Sequence, residues 1–133
     1  MWTVDPAKIV TAEQKADAAR QALGDAINAE RTRRIIAGKL INGIHVTGRD
    51  EDARNLTNLA LGAQVRIAGG DLTTLTTFRD GDNIDHDLTP LEIMSLWQQS
   101  SEYVSALYAA SWALKALDPI PADFADDQYW PEA

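Results

Sequence analysis

The dipeptide Asn42-Gly43, set between Lys39-Leu40-Ile41 and Ile44-His45-Val46, constrains this chain more than any other feature. A two-residue type I′ turn needs positive φ at both central positions, which Asn and Gly tolerate. The segment therefore predicts a tight hairpin with strands at about 39–41 and 44–47. Directly upstream, Arg31, Arg33 and Arg34 sit where cations complement a helix C-terminus, and Gly38 suits the residue just past its end. The order helix, glycine stop, hairpin is thus written locally.

Three helices are expected. The first starts at Thr11, whose side chain forms a capping box with Gln14, and Glu13 adds favourable charge. Ala12, Ala16, Ala19, Leu23 and Ala26 then follow at heptad spacing with Ile27 beside them. This seam permits close helix approach but buries little apolar area, and Gly24 costs roughly 1 kcal/mol relative to Ala. Such a helix needs a partner: either the rest of its own chain, or copies and neighbouring proteins. The second helix is expected from a cap at Asp50, with a stripe of Ala53, Leu56, Ala60, Ala63 and Ile67, Leu59 flanking it, and a stop at Gly69-Gly70. The third combines N-cap Thr89, first-turn Pro90 and Glu92 in a capping box, and runs to about Leu117. Its apolar residues divide into Ile93, Trp97, Val104, Leu107, Ser111 and Leu114, and a second set of Leu96, Tyr103, Ala110 and Leu117. Two apolar faces imply a helix sandwiched between two elements.

Between helices two and three, Leu72 to Phe78 suggests one or two short strands. Asp80-Gly81-Asp82-Asn83 reads as the turn of a second hairpin, with Ile84 on the return. The fold class is α+β: three main helices, two short β-hairpins and extended segments at both ends. A single domain is expected over 1–133, divided into an N-terminal strand and Ala-rich helix (1–37), a hairpin-helix-hairpin-helix body (38–117) and an acidic aromatic tail (118–133). Trp2 near the start, and Phe124, Tyr129 and Trp130 in the proline-interrupted tail, are costly to leave in water. They are expected to dock, on their own chain or on a partner.

The 133 residues carry 45% hydrophobic side chains and a net charge of −8. No apolar run approaches the roughly 18 residues needed to span a bilayer, and Asp5, Lys8, Glu13 and Lys15 interrupt any secretory-type apolar stretch. Membrane insertion is not expected, and synthesis in a cytoplasm is. An acidic chain disfavours a phosphate backbone, so nucleic acid is not expected as a partner. The charge is uneven: Asp118 to Glu132 carries five carboxylates and no Lys or Arg. The arginine-rich end of helix one is expected to attract this tail, within one chain or between copies.

Residues that might carry chemistry fail their tests. With no cysteine and two histidines, no thiolate site or histidine cluster is available, and no metal or cofactor is expected. A calcium loop begun at Asp80 would put Ile84 at a ligand position, Asp85 where glycine is required and Leu91 in place of the bidentate glutamate, which leaves a solvated hairpin turn as the default and a looser cation site on Asp80, Asp82, Asp85 and Asp87 as the alternative. His86 lies between Asp85 and Asp87 without a nucleophile at a telling spacing, and His45 reads as a strand residue facing solvent or a partner. No serine elbow or glycine-rich phosphate loop is present. Glu92 and Glu102 do not face each other as a glycan-hydrolysing carboxylate pair must. Catalysis is not expected.

One family resemblance orders these elements. Asn28-Ala29-Glu30-Arg31, the pair Arg33-Arg34, Gly38, Asn42-Gly43, the helix opening from Asp50 to Asn55 and the helix after Thr89 resemble a small domain of unassigned biochemistry. That domain recurs in tail, tail-fibre and fibre-assembly proteins of tailed bacteriophages, and the resemblance covers roughly residues 25–115. It implies a non-catalytic virion component of the tail, made in the host cytoplasm and present in several symmetric copies. Its partners would be other tail proteins or copies of itself, and the alternative role is a tail-fibre assembly chaperone. The expected interface residues are Trp2, Ala16, Ala19, Leu23, Arg31, Arg34, Phe124, Tyr129 and Trp130.

Overall fold

The computed structural model describes residues 10–133, so the expectations for Trp2 and an N-terminal extended segment lie outside the described residues. Helix α1 spans Ala12–Ala37, followed by strands β1 (Lys39–Ile41) and β2 (Ile44–Val46) and helix α2 (Asp50–Ala68). Strands β3 (Thr76–Arg79) and β4 (Asp85–Leu88) precede helix α3 (Pro90–Ala116), and a 3-10 turn covers Asp127–Tyr129. Each strand pair is an antiparallel two-stranded sheet. The fold is α+β, as expected.

Both capping boxes form: Thr11 accepts from the amide of Gln14, and Thr89 from that of Glu92, with each N3 side chain returning the bond. Asn42 and Gly43 adopt φ of 51° and 79°, which the type I′ turn requires. Ile41 pairs with Ile44, Leu40 with His45 and Lys39 with Val46. Ile41, Ile44 and Val46 point inward while Leu40 points to solvent. Gly38 (φ 75°) joins α1 to this hairpin so closely that a Cβ there would lie 2.0 Å from the Val46 carbonyl oxygen. In the second hairpin Thr76 pairs with Leu88 and Phe78 with His86, and Phe78 and Leu88 enter the core. The expected strand character before Thr76 gives way to a loop in which the Asp71 carboxylate accepts from the amides of Thr73 and Thr74.

Three expectations are corrected. Helix α2 begins at Asp50 itself, and its N-cap is Arg49, which makes no side-chain capping bond. The acidic residue that ties this end down is Asp52, which accepts a hydrogen bond from the Thr47 hydroxyl. Helix α3 does not present two apolar faces: its large buried side chains Ile93, Leu96, Tyr103, Leu107 and Leu114 fall on one heptad-spaced stripe, with Ser111 buried beside it. That stripe is shared along its length. Its first half packs with α2 and both hairpins around Leu56, Ala60, Ala63, Phe78 and Leu88, and its second half packs with Ile27 of α1, Ile120 and Trp130. A helix of this length is roughly 40 Å long, enough to serve two cores end to end. Finally, the tail is not extended; it folds into turns and the 3-10 turn.

Candidate functional site

The side chains singled out from sequence fall into separate places. Along α1, every residue from Ala12 to Ala22 is exposed among the described residues, and Ala16 and Ala19 line an open groove beside Asp118, Pro119 and Ile120. Leu23 is half-buried against the second core, and Ile27 is the first fully buried residue of the helix. Arg20 fixes this half of the helix to the end of α3 by donating to the carbonyls of Lys115 (2.8 Å) and Leu117 (3.0 Å).

Arg34 and the tail form one unit. The Arg34 guanidinium is buried; it donates to Glu30 (2.9 Å), to the Asp127 carboxylate (2.8 Å) and to the Ala125 carbonyl (2.9 Å). It also lies 5.1 Å from the centre of the Trp130 ring, within cation–π range. Trp130 is 6% exposed and donates its indole N–H to the Phe124 carbonyl at 2.7 Å. Phe124 and Tyr129 are half-buried against the same core, with the Tyr129 hydroxyl on Asp123. The arginine-rich helix end and the acidic tail therefore meet within one chain. Hydrogen bonding from Arg33 holds the Glu30 carboxyl below its ordinary value, with burial opposing and Arg34 assisting.

Arg31 takes another direction, into the seam between α1 and α3. It donates to Asn28 (3.1 Å) and to the fully buried Ser111 hydroxyl (2.9 Å), which in turn donates to the Tyr108 carbonyl (2.7 Å). Lys115 donates to the same Asn28 oxygen at 2.8 Å. The Arg31 guanidinium stacks 4.2 Å from the Tyr108 ring centre, and Tyr108 stands 5.9 Å from Trp112. Trp112 is 60% exposed. Sequence reading missed this aromatic pair, although its i, i+4 spacing places both rings on one helix face. Ser111 was read as a core position without its role as acceptor for Arg31.

The second hairpin turn is held from inside. Asp80 is buried and accepts from the amides of Asp82 and Ile84, and its other oxygen lies 2.8 Å from His86 Nε2. Burial favours its neutral form, but these bonds, His86 foremost, prevail and hold Asp80 at about 2. His45 joins the turn to the first hairpin and to the end of α1, contrary to its reading as a residue facing solvent or a partner. Among the described residues, no group of three or more His, Asp or Glu side chains is placed to hold a metal ion. No described helix is long and apolar enough to cross a membrane.

The architecture is a long helix serving two small cores, with polar networks that lock a tail and a turn in place. A family model described as a domain of unknown function, DUF4376, matches residues 18–128, and the chain belongs to that family. No curated protein and no solved structure matches it.

Proposed function

We propose that this chain is a non-catalytic structural protein of a bacteriophage tail, bridging or decorating distal tail or fibre components through protein–protein contacts. The observation that carries the reading is the first half of α1. From Ala12 to Ala22 every residue is exposed among the described residues, with Arg20 alone tied to the end of α3, and the small-residue seam of Ala12, Ala16 and Ala19 is kept. An isolated helix of that length is marginal in water, so a partner helix on this seam fits its composition. Leu23 continues the seam at the edge of the body. Arg31, Arg34, Phe124, Tyr129 and Trp130 act in this reading as internal supports that hold the interface helix at a fixed angle. The exposed Tyr108 and Trp112 extend the contact surface with the residue types that most often anchor interfaces.

A tail-fibre assembly chaperone is the second reading, favoured by the exposed Trp112 and by Leu61 and Val65, one turn apart and open to solvent on α2. Peptide mass spectrometry of gradient-purified virions distinguishes the two. Stoichiometric presence supports the structural part; presence in infected cells but not in virions supports the chaperone. Presence in neither sinks both. Light scattering on the purified protein adds the copy number, and Ala16→Glu is expected to dissolve any oligomer built on the α1 seam while leaving the monomer folded.

A further inference from the structure

The ring of His45 lies between two oxygens. Nε2 is 2.7 Å from the backbone carbonyl of Ala37, the last residue of α1, and Nδ1 is 3.1 Å from a carboxylate oxygen of Asp82 in the second hairpin turn. A peptide carbonyl and an ionised carboxylate only accept hydrogen bonds, and a neutral imidazole has a single N–H to give. Both contacts are hydrogen bonds only when both ring nitrogens carry a proton. The backbone of the same residue completes the junction, because the Gly81 amide donates to the His45 carbonyl at 2.8 Å. Packing there is tight: a Cβ on Gly81 would meet the His45 ring at 2.8 Å and the Thr47 methyl at 2.5 Å.

We infer that His45 is an imidazolium clamp that ties the Asp82 carboxylate of the Asp80–Ile84 turn to the C-terminal end of α1, and that losing one ring proton releases Asp82 while the Gly81–His45 backbone bond keeps the turn in place. The choice of bond that breaks follows from the partners. The Ala37 carbonyl is fixed in the backbone at the negative end of a helix dipole, which favours a donor. Asp82 is a largely exposed side chain that can rotate into water. The remaining proton therefore stays on Nε2, and Nδ1 and the Asp82 carboxylate, now both acceptors, separate. The charged groups acting on the ring are Asp82 and Asp80, both from the turn, while α1 contributes the Ala37 carbonyl. His86, across the turn, is bound to Asp80. The Ala37 carbonyl foremost, and then Asp82, raise His45 above its ordinary value against some desolvation. The stability that the clamp adds is thus fully present below about 6.5, the ordinary histidine value, and is lost as pH rises through the higher folded value.

The test is ¹⁵N-detected imidazole NMR on the native protein from pH 5 to 9. Both ring nitrogens of His45 are expected at imidazolium shifts at pH 5, with a midpoint above about 6.5, and the neutral form above the midpoint is the Nε2–H tautomer. The amide resonances of Gly81, Asp82 and Asn83 are expected to move with the same midpoint. Asp82→Asn, an exposed substitution that leaves the fold intact, lowers the His45 midpoint and removes the coupled movement of the turn amides. His86→Gln identifies the other histidine resonance. A His45 midpoint at or below 6.5, an Nδ1–H neutral tautomer, or a midpoint unmoved by Asp82→Asn overturns the inference.

Discussion

Replacing Trp130 by Ala asks whether the tail is part of the folding unit or an appendage. The indole buries on the order of 200 Å², which at about 25 cal/mol per Å² is roughly 5 kcal/mol against an extended chain. A compact unfolded state lowers that by about 10–40%, to roughly 3–4.5 kcal/mol, in the range measured for large aromatic truncations in cores. The hydrogen bond to Phe124 and the stacked Arg34 are lost in the same step, but Arg34 keeps Glu30 and Asp127. Against a total stability of about 5–15 kcal/mol, a loss of this size is large. Urea unfolding followed by far-ultraviolet circular dichroism at two protein concentrations is the assay. A concentration-independent loss of about 3–4.5 kcal/mol is expected, with Trp130→Phe, which keeps the burial and loses the indole donor, costing only about 1 kcal/mol. A loss under about 1 kcal/mol would mean that the tail frays independently of the helices. A midpoint that rises with concentration in the unaltered protein but not in Trp130→Ala would mean that the tail docks between copies in solution. Either result refutes the intramolecular lock described above.

Gly38→Ala places a methyl group against the Val46 carbonyl at a φ of 75° and is expected to cost about 2–4 kcal/mol. Gly43→Ala, at a φ of 79° with open space around it, is expected to cost only about 1 kcal/mol, so parallel thermal melts separate backbone strain from steric clash. Ser111→Ala removes the acceptor for Arg31 in a fully buried position and is expected to cost about 1–2 kcal/mol, with a non-additive double-mutant cycle against Arg31→Met. Asp80, held at about 2, contributes stability that is present above its ordinary value near 3.8 and is lost as pH falls through 2. Asp80→Asn is expected to lower stability at neutral pH and to flatten the acid limb of the stability curve between pH 4 and 2. An unchanged acid limb would remove Asp80 from the network that holds the turn.

The features legible in the sequence are those decided within a few residues. Thr11, Thr89 and Pro90 start helices because a hydroxyl three positions before an amide is a local geometry, and Asn42-Gly43 turns a hairpin because only such residues tolerate positive φ twice in succession. The attraction between Arg34 and the acidic tail was readable as charge, although not its place inside one chain. Tertiary structure alone decided which apolar positions are covered. Leu117 and Leu107 look alike in sequence, but Leu107 is fully buried while Leu117 is exposed, because α3 ends at Ala116 and the extended backbone of its C-cap carries Leu117 off the helix. The Ala seam of α1 carries the same ambiguity: the periodicity says that a face exists, and only the positions of the other elements show that the described residues leave its first half exposed. The contacts of His45 were invisible for the same reason, since Ala37 and Asp82 meet it from separate elements. Caps and turns are set by short-range sterics and hydrogen bonds. Burial and paired ionisation depend on which distant segments arrive at one point, and that is settled by the packing of the whole chain.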